Sequence, residues 1–240
     1  MEFIVLIPAR LNSSRLPNKP LLKIEEKSLI QRVYENVKKS KAKLIYVATD
    51  HRSILRECQL FEANCILTSN LHISGTDRLA ETASILELDD ETIIVNVQGD
   101  EPFLHPEDIN KVASLASQKK IDMGTLYSDL NPQDEDNPSV VKIWVDLNNV
   151  VREFSREKNY FESSKLTKGK HMGIYSYSVK FLKEFTTLNI AKREKEENLE
   201  QLRALSNNKL IAAEKSITKN HLGIDTLKDL EEARLRLKNA

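Results

Sequence analysis

The chain has 240 residues, 40% of them apolar and 30% charged, with 36 Lys and Arg balanced by 36 Asp and Glu. That composition describes a globular chain long enough for one large domain or two small ones. Zero formal net charge argues against a general affinity for nucleic acid or an anionic membrane, because such binding needs a surplus of basic groups, so any anion site must be a local cluster.

Apolar, β-branched runs at 3–7, 44–48, 65–67 and 92–97 are continuous rather than alternating, which predicts strands buried on both faces. Between them, 28–39 has helical period through Leu29, Val33 and Val37, and Ser28 with Gln31 fits a capping box. Residues 76–86 repeat the period with Leu79, Ala83 and Leu86, and 106–117 do so with Ile109, Val112 and Leu115 behind a proline suited to a first helical turn. Strand and helix alternating at this spacing predict an α/β fold, a mostly parallel, mixed central sheet with helices on both faces. Farther along, 140–145 and 171–177 read as strands and 154–170 as a polar loop or partner-facing flap. Residues 179–185, 196–205 and 226–237 read as helices, the last opened by Thr226 and Asp229. No repeat, low-complexity tract or linker divides the chain, which reads as a single domain, 1–240, with an inserted segment at about 137–189.

Cys58 and Cys65 lie in apolar segments with no His or Cys at zinc-ligand spacing, and read as thiols of a reduced compartment. No apolar run approaches the ~18 residues of a membrane span, and the first residues lack the features of a signal peptide. The expected location is the cytoplasm.

Ligands of an open parallel sheet bind at the carboxyl ends of its strands. After the first strand comes Pro8-Ala9-Arg10-Leu11-Asn12-Ser13-Ser14-Arg15-Leu16-Pro17-Asn18-Lys19-Pro20. Its three cations suit a triphosphate, with two guanidinium forks to grip oxygens, a lysine as a mobile charge and backbone N–H groups between them. None of the six glycines falls in the first 74 residues, so neither a GxGxxG fingerprint nor a Walker A loop follows that strand. Gly99-Asp100 permits a sharp exit from the fourth strand, and Gly223-Ile224-Asp225-Thr226 places a second carboxylate just ahead of the last helix. Two such carboxylates can clamp Mg²⁺ beside a phosphate. Each feature also has a plain structural reading: a solvated basic loop, a Gly-Asp turn, a helix N-cap. Glu197, Glu200 and Gln201 share one face of the predicted helix over 196–205, which could bond sugar hydroxyls, although a solvated surface is the favoured reading of it alone; a lone His171 on its strand is likewise more often structural than catalytic. Neither a nucleophile elbow nor an activated thiol supports covalent catalysis.

Ile7-Pro8-Ala9-Arg10 through Ser14-Arg15-Leu16-Pro17 to Lys19-Pro20-Leu21 resembles the opening signature of CMP-Kdo synthetases, the 3-deoxy-manno-octulosonate (Kdo) cytidylyltransferases. Matching segments follow in family order over nearly the whole chain: Val47 to Asp50, Ser74 to Glu81, Asn96 to Pro102, Asn137-Pro138 with Val141-Lys142, Phe154 to Arg156, His171 to Tyr175, Leu199 to Arg203 and Gly223 to Thr226. The resemblance implies a nucleotide-diphospho-sugar transferase-like fold whose inserted segment serves dimerisation. It further implies a cytoplasmic homodimer that couples Kdo to CMP from CTP with Mg²⁺, releasing pyrophosphate, for lipopolysaccharide synthesis. By position, Pro8, Ala9, Arg10, Arg15, Lys19, Ser74, Gly75, Thr76 and Arg78 would bind the nucleotide, and Asp100 and Asp225 the metal. Arg10, Arg15, Lys19, Asp100 and Asp225 would form the catalytic set. Gln98, Arg156, His171, Tyr175, Glu200 and Gln201 would surround the sugar acid, with Arg156 as the bidentate partner of its carboxylate.

The chain departs from the family where Ser155-Arg156 is followed by Glu157-Lys158-Asn159-Tyr160 instead of a proline-containing stretch, and where Lys168-Gly169-Lys170 precedes His171. These changes touch the outer wall of the sugar pocket and leave room for the 8-amino analogue of Kdo or a sialic-type acid. A non-catalytic nucleotide-binding module is the alternative from another class.

Overall fold

The computed structural model describes residues 2–13, 15–158, 160, 161, 163, 165–218 and 221–238; Ser14 of the basic loop lies outside them. β1 (Phe3–Ala9) leads through the basic loop and a small hairpin, β2 (Lys23–Ile24) and β3 (Lys27–Ser28), into α1 (Leu29–Val37). Next come β4 (Leu44–Thr49), α2 (Arg52–Leu60), β5 (Cys65–Leu67), α3 (Gly75–Ile85), β6 (Ile93–Val97) and α4 (Pro106–Ala116). The second half holds β7 (Met123–Ser128), α5 (Pro132–Glu135), β8 (Lys142–Val145), β9 (Val151–Ser155) and β10 (Thr167–Ser178). It closes with α6 (Val179–Phe185), α7 (Lys192–Glu197), α8 (Gln201–Ser206), β11 (Ile211–Lys215) and α9 (Leu227–Lys238).

The main sheet runs in the order β11-β7-β10-β6-β1-β4-β5, with the β8–β9 hairpin attached to β10 off that path. β1 pairs in parallel with β4 and β6, as do β4 with β5 and β7 with β11. β10 runs antiparallel to β6, β7 and β8. The sheet is therefore mixed and mostly parallel, as the sequence predicts. Phe3, Val5 and Ile7 of β1 enter a core beneath α1, α2, α4 and α9, while Ile4 and Leu6 enter the opposite core with α3, α6 and α8. Burial on both faces is why this strand reads as an unbroken apolar run.

Predicted and observed elements differ in particular places. The single helix expected over 196–205 is two, because Asn198 takes a left-handed φ of 52° that ends α7 before α8 begins. The segment 154–170 expected as loop gives its first residues to β9 and its last to β10. Helices α2 and α5 and strands β2, β3, β7, β9 and β11 have no counterpart among the predicted elements, and α7 overlaps only the first residues of the helix expected over 196–205. Ser28 caps α1 by accepting from the Gln31 N–H, but the Gln31 amide turns to Glu35, so only half of the expected box forms. Ahead of α9, the Asp229 carboxylate accepts from the N–H and hydroxyl of Thr226 and from the N–H of Asp225, which fixes the backbone at Asp225. Cys58 is buried and Cys65 half-buried, both as free thiols. No helix among the described residues is long and apolar enough to cross a membrane.

Candidate active site

The ends of the parallel strands β1 and β6 and the starts of α3 and α9 converge on one cleft of about 370 Å³, lined among others by Pro8, Ala9, Arg10, Arg15, Lys19, Gly75, Gln98, Asp100 and Asp225. The Lys19 ammonium sits 2.6 Å from an Asp100 oxygen and 3.0 Å from an Asp225 oxygen, and Arg15 approaches the same Asp225 oxygen at 3.0 Å. Burial alone would lower the Lys19 pKa, but the two adjacent carboxylates outweigh it and hold it above the usual lysine value. Asn18, in the left-handed region at φ 54°, turns the chain into the 3₁₀ segment that carries Lys19. Arg10 donates to the Ile73 carbonyl at 2.8 Å, tying the basic loop to the segment before α3. Gly99 is required by close approach: a Cβ there would lie 2.8 Å from the Pro8 carbonyl oxygen.

The predicted nucleotide residues of α3 divide. Gly75 reaches the cleft, whereas Ser74 caps the helix through a reciprocal box with Asp77. Thr76 is buried and donates to Glu200 at 2.6 Å. Arg78 is fully buried and donates to Thr68, the Ser69 carbonyl and Asp50, while Asp50 also accepts from the Leu11 N–H. Arg78 therefore supports the basic loop from behind, through Asp50, and lines neither hollow of the site.

A second hollow, of about 530 Å³, adjoins the first and shares Gln98 and Asp225 with it. His171, Tyr175, Glu200 and Gln201 line it. Tyr175 donates its hydroxyl to the Gln201 side-chain oxygen at 3.3 Å, and burial pushes its pKa far up. His171 contacts the Thr125 hydroxyl at 3.0 Å between the rings of Phe154 and Tyr175. Desolvation, then the charge of His221, lowers its pKa to about 3, so the imidazole is neutral at ordinary pH. Glu200 is raised by burial, only partly offset by the hydroxyls of Ser74 and Thr76. Its Oε1 is buried and has no hydrogen-bond partner among the described residues.

One predicted sugar contact, Arg156, falls elsewhere, and so does Glu197 of the same polar face. Glu197 spends its carboxylate on Ser155, the Arg156 N–H and Arg193, and the break at Asn198 removes it from the face that Glu200 and Gln201 present. Arg156 does not line the hollow. Its Nε donates to the Glu197 carbonyl and its Nη1 to those of Pro138 and Ser139, so it clamps the loop before β8 to the turn before α8. Lys142, fully buried, braces the same loop by donating to the carbonyls of Asn137 and Arg156.

Residues outside the sequence prediction complete the hollow. Lys170 and His221 line it, as does Glu101, whose carboxylate lies 2.6 Å from His221 Nε2. Burial pushes the Glu101 carboxyl up despite that partner; burial would lower His221, but Glu101 outweighs it and raises the imidazole. Gly223 makes room for the pair, since a Cβ there would lie 2.9 Å from Glu101 Oε1. Glu101 and His221 are 120 positions apart, and no local pattern marks them.

Mg²⁺ needs hard oxygen ligands and takes one or two carboxylates plus substrate phosphates. Asp100 and Asp225, both within 3.0 Å of one ammonium, supply that donor set beside the cations, so the residues fit such an ion. No group of three or more His, Cys, Asp or Glu side chains among the described residues forms a metal cage.

A cation-rich loop and paired carboxylates at the strand ends of a mixed α/β sheet define a nucleotidyltransferase, and the chain belongs to the cytidylyltransferase family, whose profile matches residues 4–211. Its relatives are more particular. A 3-deoxy-manno-octulosonate cytidylyltransferase of Francisella philomiragia subsp. philomiragia is 45% identical over 240 residues, covering 96% of each chain. One of the same name from Neisseria gonorrhoeae is 41% identical, covering 97% of each. A solved structure of CMP:2-keto-3-deoxy-manno-octonic acid synthetase complexed with CTP superposes with a TM-score of 0.91 at 33% identity, over 100% of this chain and 99% of that one.

Proposed function

We propose that this chain transfers CMP from CTP to the anomeric hydroxyl of Kdo, giving CMP-Kdo and pyrophosphate and so activating the sugar for lipopolysaccharide synthesis. The observation that carries this reading is the joining of two clefts at Gln98 and Asp225, one built for a triphosphate and one for a polyhydroxylated acid. The names of the relatives agree with it.

The sugar hydroxyl attacks the α-phosphorus in line, a new O–P bond forming as the bond to pyrophosphate breaks and the hydroxyl proton is given up to solvent. Charge builds on the phosphoryl oxygens and the leaving group, so the residues required are cations already in place. Arg10, Arg15 and Lys19 fill that role. Asp100 and Asp225 would hold Mg²⁺, which when bound neutralises phosphate charge and makes the attacking hydroxyl more acidic. Lys19, bonded to both, holds the two carboxylates converging. On the sugar side, the unpartnered Glu200 oxygen, Gln98, Tyr175, Gln201 and the neutral His171 offer hydrogen bonds to hydroxyls, and the Arg156 clamp sets the wall they line.

The reaction belongs in the cytoplasm, where nucleoside triphosphates are made. We also propose a homodimer built on the inserted segment at about 137–189 of this single domain. Light scattering of the purified protein tests it.

The function is tested by pyrophosphate release with CTP or UTP against Kdo and its 8-amino analogue, with mass detection of the nucleotide-sugar. CTP with Kdo should give the fastest release. Stabilisation by CTP with no pyrophosphate from any sugar acid would leave only a nucleotide-binding module.

A further inference from the structure

In a 2-keto sugar acid the carboxylate sits on the same carbon as the anomeric hydroxyl. When that hydroxyl is aimed at the α-phosphorus beside Asp100 and Asp225, the carboxylate lies at the same edge of the sheet. The hollow that must receive it is set against an anion, since Glu101, Glu200, Asp225 and Asp229 all line it. Another negative group among them needs a fixed counter-charge. Arg156, the expected partner, is spent on carbonyls of the chain, and Arg10, Arg15 and Lys19 face the triphosphate cleft.

Among the described residues lining the hollow, the cations that remain are Lys170 and His221. His171 is no substitute, because burial, then the charge of His221, lowers its pKa to about 3. The strand register puts Lys170 at the reacting edge. β10 runs antiparallel to β6 with Ile174 opposite Val97, and a Cβ on Gly173 would lie 3.8 Å from Cγ of Gln98. Stepping back along β10 from Gly173 therefore leads toward Asp100 and Glu101, and Lys170 ends up opposite Ser128, the last residue of β7. His221 reaches the same edge from the other side, with its Nε2 2.6 Å from Glu101, the neighbour of Asp100. Burial lowers the His221 pKa and Glu101 outweighs it, while the Lys170 charge pulls it down again, so the two cations repel each other. An anion between them relieves that repulsion. Asp134 takes one donor of the Lys170 ammonium at 3.1 Å, which steadies the side chain and leaves donors for a ligand.

We propose that Lys170, with His221 beside it, binds the carboxylate of the sugar acid and is the residue through which this chain demands an acidic sugar. The assignment rests on the CMP-transfer reading and names the group that reads the substrate's charge. Holding the carboxylate at this edge turns the hydroxyl on the same carbon toward Gln98 and Asp225, where the two clefts meet.

The test measures pyrophosphate release from CTP with Kdo and with its C1 carboxamide, which keeps every hydroxyl and loses the charge. The wild-type chain should use the acid with a kcat/KM at least a hundredfold above that of the amide. Lys170→Gln should raise the KM for Kdo at least tenfold, leave that for CTP within twofold and cut the acid-to-amide ratio at least tenfold. Lys170→Arg, which keeps the charge, should hold the ratio within threefold of the wild-type value. A side chain that only props the wall would weaken both substrates alike and leave the ratio unmoved. His221→Gln, expected to cut the ratio at least threefold, serves if Lys170→Gln does not fold. Equal use of acid and amide by a wild-type chain that turns over Kdo, or an unchanged ratio in a folded variant, overturns the assignment and leaves the function standing. No pyrophosphate with Kdo from the wild-type chain is the failure of the function itself.

Discussion

Thr76, at the start of α3, gives its hydroxyl to the carboxylate of Glu200 at 2.6 Å across 124 positions of sequence, fastening the nucleotide side of the cleft to the wall of the sugar hollow. Thr76→Val removes the partner of Glu200 Oε2 while Oε1 already has none. A buried acceptor left unsatisfied costs about 1–3 kcal/mol. The variant should lose stability in that range, and its KM for the sugar should rise at least fivefold while that for CTP stays within twofold. An equal rise in both constants would place Thr76 on the nucleotide instead.

Asp100→Asn keeps the shape and removes the charge facing Lys19. Opposite charges at 4 Å are worth about 4 kcal/mol at an effective dielectric near 20, before desolvation. Turnover should fall at least a hundredfold, with a melting temperature within a few degrees of the parent. Near-normal pyrophosphate release would exclude Asp100 from the chemistry.

Arg156→Ala deprives three carbonyls of their donor. At about 1 kcal/mol per net hydrogen bond, chemical denaturation should show a loss of roughly 2–3 kcal/mol. Steady-state kinetics should show sugar KM rising more than CTP KM, since the clamp joins the two sides of the sugar hollow; the reverse order would count against it.

His171 is neutral in the fold, with a pKa near 3 against an ordinary value of 6.5. The unfolded chain binds a proton below 6.5 that the folded chain refuses until about 3, so this contribution is complete above 6.5 and lost as pH falls toward 3. About 2 kcal/mol should be gone by pH 5. His171→Gln should flatten that part of a denaturation profile measured from pH 7 to 5; an unchanged slope would mean that another group titrates.

Glu194 and Arg203 form a nearly buried pair joining α7 to α8, with Arg203 Nε and Nη2 both donating to the carboxylate. Removing one partner leaves the other charge buried, a cost of about 3–5 kcal/mol. Glu194→Ala should unfold at correspondingly lower urea, and sugar KM should rise because α8 begins with Gln201. A loss below about 1 kcal/mol would show that Arg203 finds another partner.

The first βα units were legible because strands buried on both faces are continuous apolar runs and α1, α3 and α4 keep strong helical period. α2 was not, since only Ile54 and Cys58 are buried in it, although a parallel β4–β5 pair demands a crossover there. β7 and β11 include Gly124, Ala212 and Ala213, residues of low strand propensity that the tertiary fold overrides. Within the site, Arg10, Arg15, Lys19, Asp100 and Asp225 could be found because each follows a strand or precedes a helix. Arg78 and Arg156 look the same in sequence but are spent on internal acceptors, and only the fold reveals which guanidinium faces the cleft. Glu197 shows the cost of assuming one helix where Asn198 makes two.

β10 has a consequence for how this protein loses activity. His171, Gly173 and Tyr175 line the sugar hollow, while Met172 and Ile174 between them are packed in the main core. A slip of one residue would exchange the two sets, pointing thioether and alkyl groups at the ligand and imidazole and phenol into the interior. Since three neighbouring strands pin this ladder, recognition and cooperative folding are a single variable: no loosened intermediate retains a working pocket, and inactivation should track unfolding of the sheet.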